Sequence, residues 1–259
     1  MPIAATTSGP VTSDADGTGT PRLPTPWLVA LHLAPGIVFT LFYFVLSVVF
    51  TRNGLTAYLA ELIAIPSCLV PTLLGIVFLW SRRSGDTRSL VSAISYRERG
   101  TLGDYVVLPV LLYLCWALCS LLVVPSSEVL EARLFGWFPA SLTTHSLMRG
   151  ISSTSPGQRH VTFVLAILLS GILAPLAEET YFRGFLLPRM RHLGWRAPLV
   201  NTFLFGLYHF FSPWNLPVIF AAFLPVVFVV QARRNFRIGL VLHAMFNLTG
   251  VFNLFVRMT

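Results

Sequence analysis

The chain has 259 residues, 55% of them hydrophobic and only 11% charged, with a mean hydropathy of +0.74. A soluble globular domain carries about a quarter charged residues, so a soluble fold is excluded. The net charge of +8 is entirely arginine, since no lysine occurs, and these arginines punctuate apolar segments instead of building the basic soluble domain that nucleic-acid binding needs.

Residues 1–26 are rich in Thr, Ser, Gly, Pro and Asp and read as a disordered cytoplasmic tail. They lack the charged n-region and short apolar core of a cleaved signal peptide. Seven apolar helices follow, at about 27–50, 56–80, 103–124, 161–187, 197–211, 215–231 and 238–256, and together they make residues 27–259 an all-α, polytopic membrane domain. Most are near the length of about 20 residues that crosses a bilayer. Their unalternating hydrophobicity argues against an outer-membrane barrel, whose strands are about 10 residues long and dyad-patterned. The apolar run 197–231 is broken at Ser212-Pro213-Trp214-Asn215, which reads as a tight turn between two short helices. Residues 81–102 are polar and arginine-rich, with a possible amphipathic stretch on the membrane surface, and residues 125–160 have room for an interfacial helix. A lysine-free composition points to a bacterial genome rich in G and C.

The arginines orient this arrangement. Arg82, Arg83, Arg88, Arg97 and Arg99, then Arg189, Arg191 and Arg196, then Arg233, Arg234 and Arg237 all fall on one side of a seven-helix order, together with Arg22. The other side keeps Arg52, Arg133, Arg149, Arg159 and Arg257. Positive-inside bias then puts the N-terminus in the cytoplasm and the C-terminus outside. Trp27, Trp80, Trp137 and Trp195 read as interface anchors, while Glu61, His32, His145, His160 and His192 read as lying near membrane surfaces. Cys68, Cys115 and Cys119 show neither a disulfide framework nor metal-ligand spacing and read as small buried hydrophobes.

The chemistry concentrates in Ala177-Glu178-Glu179-Thr180-Tyr181-Phe182-Arg183. Ionisable groups inside a membrane are expensive and mark function by default. On a helix Glu179 and Arg183 are spaced i, i+4 in the order that favours an ion pair, whereas Glu178 is rotated by about 100° to face a cavity or another helix. His209 lies in the apolar segment Phe205-Gly206-Leu207-Tyr208-His209, and His243 and Asn247 share one face of a later helix. Counted from the helix ends nearest the arginine-rich loops, Glu178 lies ~14 Å deep, His209 ~18 Å, His243 ~8 Å and Asn247 ~14 Å. Carboxylate, imidazole and carboxamide from separate helices thus converge at one level, as a hydrolytic site requires.

Glu-Glu-x-x-x-Arg, Phe-x-x-x-His and His-x-x-x-Asn, in this order on successive membrane helices, resemble the CAAX protease and bacteriocin-processing (CPBP) family, also called the CAAX protease self-immunity or Abi family. The resemblance covers about residues 160–250 and implies an intramembrane endopeptidase acting on a membrane-associated or lipidated peptide or protein, in a multi-pass cell-membrane chain surrounded by lipid. By this resemblance Glu178 and His209 hold and activate a water, His243 and Asn247 stabilise the oxyanion, and Arg183 holds Glu179 to orient the site. The family is commonly labelled a metalloprotease, and Glu178, His209 and His243 are the implied ligands if a divalent metal such as zinc is bound; yet His-Glu-x-x-His is missing, and a glutamate-activated water uses the same residues without an ion. A non-catalytic scaffold or bacteriocin self-immunity protein on the same fold is the alternative. A proton-relay transporter is a further one, although no internal repeat is visible.

Overall fold

The computed structural model describes residues 22–83 and 90–256, and among these residues it is helical throughout, apart from turns and one isolated antiparallel bridge between Arg97 and Asn235. The elements are α1 (Thr25–Arg52), α2 (Ala57–Arg83), α3 (Gly103–Leu134), the short α4 (Thr144–Ser152), α5 (Pro156–Arg189), α6 (Arg196–Leu207), α7 (Leu216–Arg233) and α8 (Phe236–Val256). Six are long and apolar enough to cross a membrane: α1, α2, α3, α5, α8, and α7 with the turn Pro213–Asn215 that leads into it. The chain is a multi-pass membrane protein. The predicted fifth helix is real but ends at Leu207, and its twelve residues reach only about 18 Å into the apolar layer. The predicted break at Ser212-Pro213-Trp214-Asn215 is a short 3₁₀ turn. Most of the expected tail, residues 1–21, lies outside the described residues, as do Arg88 and Arg257.

Prolines shape the long helices. A proline ring clashes with the carbonyl four residues back and removes one N–H, so the backbone next to it often widens to i+5 bonding. Widened turns occur at Ile65–Leu69, which contains Pro66, and at Gly103–Val107, two residues before Pro109. In α5 they occur at Ala166–Leu173 and Glu179–Leu186, just before Pro175 and Pro188. Between the latter two lies the single tight turn Ala174–Glu178.

The arginine-rich segments meet at one end of the bundle, as their charges predict. Ser95 N–H donates to the Gly184 carbonyl, Glu98 N–H to Arg234 and Phe236 N–H to Tyr96, each at 3.0 Å. Arg189 Nη1 donates to the Ala93 carbonyl at 3.2 Å, and its guanidinium lies 4.0 Å from the centre of the Phe185 ring, so a buried cation clamps the segment between α2 and α3 onto α5. At the opposite end Phe138 packs on both Phe44 and Trp214.

Several expectations need correction. The third helix runs ten residues past its predicted end, because Pro125 fits inside it without stopping it. The segment 125–160, where an interfacial helix was expected, contains the short helix α4. His32, expected near a membrane surface, is fully buried against α6: its Nε2 meets Asn201 Nδ2 at 3.1 Å, and its Nδ1 meets the Leu28 carbonyl at 2.8 Å. Cys68 is buried, but Cys115 and Cys119 are exposed on the outer face of α3, where Leu118, Leu121 and Leu122 are also exposed; that face meets lipid, not protein core.

Candidate active site

The tight turn of α5 aims the two glutamates differently. Glu179 is completely buried, and its Oε1 lies 3.2 Å from Arg183 Nη1, the i, i+4 pair that the spacing predicts. The guanidinium sits 3.9 Å from the centre of the Phe205 ring and 5.0 Å from that of Phe223. Its N–H groups make no well-angled hydrogen bond among the described residues, so charge and two aromatic faces hold it. Gly239 closes this pocket from α8: a Cβ there would collide with Glu179 Oε2. Glu178 instead borders a cavity of about 690 Å³.

His209 reaches the same cavity from a place the sequence misassigned. It is not within a helix but just past the end of α6, in a turn. Its Nδ1 donates to the Phe205 carbonyl at 2.8 Å, so in the neutral ring Nε2 carries the lone pair. The preceding residue, Tyr208, donates its hydroxyl to Glu178 Oε1 at 3.0 Å. Sequence reasoning missed Tyr208; its position beside His209 in an apolar run was the signal. The corner is braced by α1, where Gly36 lies so close that a Cβ would collide with the Tyr208 carbonyl and approach its ring Cδ2 to 2.8 Å.

From α8, His243 bridges both carboxylates. Its Nδ1 lies 3.0 Å from Glu179 Oε1 and its Nε2 3.5 Å from Glu178 Oε2, with the Phe223 ring packed edge-on 4.6 Å away. One turn on, Asn247 donates from Nδ2 to the Ser170 carbonyl at 2.9 Å and also lines the cavity. The structure therefore brings Glu178, His209, His243 and Asn247 to one chamber and sets Glu179 and Arg183 behind it. Glu61, read from sequence as interfacial, borders this chamber too, because α2 turns it inward.

The implied metal donors do not make a binding set. His243 Nδ1 is engaged by Glu179 and its Nε2 faces Glu178, leaving the His209 Nε2 lone pair as the free imidazole donor. Among the described residues no three His, Cys, Asp or Glu side chains are grouped so as to hold a metal ion.

No curated protein and no solved structure matches the chain. Residues 160–249, which contain every one of these side chains except Glu61, do match a family model, that of Rce1-like proteins, the type II CAAX prenyl endopeptidases, so this segment is similar to the CPBP family that its motifs resemble.

Proposed function

We propose that the chain is an intramembrane endopeptidase that hydrolyses a peptide bond of a membrane-associated substrate with a water activated by Glu178 and His209. The observation that carries this reading is the arrangement of His243 between Glu178 and Glu179 on the wall of a chamber that His209 and Asn247 also line. Arg183 and His243 together face the two carboxylates, so each acid has a nitrogen partner inside the bundle.

In this mechanism the His209 Nε2 lone pair accepts a hydrogen bond from the water, and Glu178 takes its proton as the oxygen attacks the scissile carbonyl carbon. Tyr208 holds the other carboxylate oxygen, so the basic one stays aimed at the chamber. The oxyanion that forms is met by the Asn247 N–H not used on Ser170, with the His243 ring beside it. Glu178 then returns the proton to the departing amine as the C–N bond breaks. The products are a carboxylate and an amine. Arg183 and Glu179 act through His243, whose orientation they set.

A lipidated CAAX-type C-terminus is the substrate class this reading favours, and positive-inside bias puts the arginine-rich end and the N-terminus on the cytoplasmic side. The test is proteolysis in nanodiscs of a prenylated CAAX reporter and of unlipidated membrane-tethered peptides. Glu178→Gln and His209→Ala are expected to lose about 10²-fold or more of the rate, the usual worth of a general base. Glu128→Gln, an exposed carboxylate outside the chamber, keeps full rate, and a chelator changes nothing. Full cleavage by Glu178→Gln overturns the mechanism, and loss to a chelator overturns its metal-free form.

A further inference from the structure

Glu61 is the acidic residue of the chamber that the mechanism leaves unused. It projects from α2, one turn past Ala57, and it borders two cavities at once: the chamber of about 690 Å³ and a smaller one of about 230 Å³. Tyr58, Phe211, Ser212, Asn215 and Leu254 border both as well, so the two spaces adjoin at Glu61. The smaller space continues under α4, against Thr144, Leu147 and Met148.

Other carboxylates inside the bundle have partners. Glu178 has Tyr208 and His243, and Glu179 has Arg183 and His243. Among the described residues the Glu61 side chain has neither a hydrogen bond nor an ion pair, and no arginine lines either cavity. A carboxylate within a membrane domain is costly unless something neutralises it, and here the open space beside it is where a neutralising group fits. With Glu61 as the unpartnered carboxylate of the chamber, a cation is attracted there and an anionic group repelled.

We propose that Glu61 is a specificity-determining residue: it receives a lysine or arginine side chain of the substrate at the junction of the two cavities, while the scissile bond lies at Glu178 and His209. This rests on the peptidase reading for its purpose, but the cation site itself is testable without turnover. Ser212 and Asn215 border the same junction and can accept the remaining N–H groups of such a side chain.

The test uses the full chain in nanodiscs carrying Glu178→Gln. The probes are palmitoylated, fluorescent peptides in which a single lysine is walked through a neutral sequence, each paired with the acetyl-lysine peptide of the same position. At one position or two adjacent ones, lysine is expected to bind about tenfold more tightly than acetyl-lysine, the scale of one charge-assisted hydrogen bond. Adding Glu61→Gln, which keeps the shape, should bring that ratio to one. A ratio of one at every position, or a preference that survives Glu61→Gln, overturns the proposal; if that variant does not fold, the lysine to acetyl-lysine ratio decides alone. A lysine preference in a chain that, with Glu178 intact, cleaves none of these peptides refutes the peptidase reading and leaves the cation site standing.

Discussion

Gly36 offers a sharp test of how the site is held, because it lies on a helix that contributes no motif residue. Replacing it with alanine puts a methyl group against the Tyr208 carbonyl and 2.8 Å from its ring, where ordinary contact begins at 3.4 Å. Helix α1 and the Tyr208-His209 corner must therefore move apart by about 1 Å, a strain of about 1–3 kcal/mol for an overpacked core. The same displacement stretches the Tyr208–Glu178 hydrogen bond from 3.0 Å to beyond bonding range and shifts His209 with it. A misplacement of this size lowers the rate by about 10²-fold. Peptide cleavage and thermal unfolding, both measured in nanodiscs, read the two effects. Gly75→Ala is the control: a Cβ there meets nothing within 4 Å, so activity and stability should hold or rise slightly. Wild-type activity and an unchanged melting temperature in Gly36→Ala would refute the claim that α1 braces the corner.

Two further outcomes are expected. Arg183→Met keeps an apolar stem between Phe205 and Phe223 but strands Glu179 without its cation, which should lower stability by about 3–5 kcal/mol and be read as a fall in unfolding temperature; a melting temperature equal to wild type would contradict the ion-pair assignment. A lipid-soluble maleimide should label Cys115 and Cys119 in intact nanodiscs and leave Cys68 unlabelled until the protein unfolds, as mass spectrometry of the peptides can check. Labelling of Cys68 in the folded protein would place α2 differently in the bundle, and protection of Cys115 and Cys119 would do the same for α3.

Helix positions were legible because apolar runs and arginine-rich breaks are one-dimensional signals, and the seven predicted segments correspond to helices in the structure. The i, i+4 pairing of Glu179 with Arg183 was legible for the same reason. What the pattern could not carry was direction at helix ends and in widened turns. His209 looked helical because its neighbours are apolar, yet α6 stops two residues before it, and that stop frees its ring for the chamber. Glu61 looked interfacial because it stands near a helix start, and only the packing of α2 turns it toward Glu178's chamber. The link from His243 to both carboxylates depends on α8 lying against α5, which Gly239 permits and which no spacing within one helix encodes.

The pairing of Glu179 with Arg183 within one helix also bears on the order in which the chain enters the bilayer. Helix α5 emerges from the ribosome well before α8, so for that interval neither glutamate has His243 beside it. A charged residue at mid-membrane costs about 2.5–3.5 kcal/mol at insertion. Because the cation for Glu179 travels on the same helix, one turn away, two of the three charges can cross together as a neutral pair without waiting for a later segment. Only Glu178 is left to be matched, and its partner arrives with the last helix. The Glu179–Arg183 pair thus needs only α5, whereas Glu178 meets its histidine only once α8 has joined the bundle.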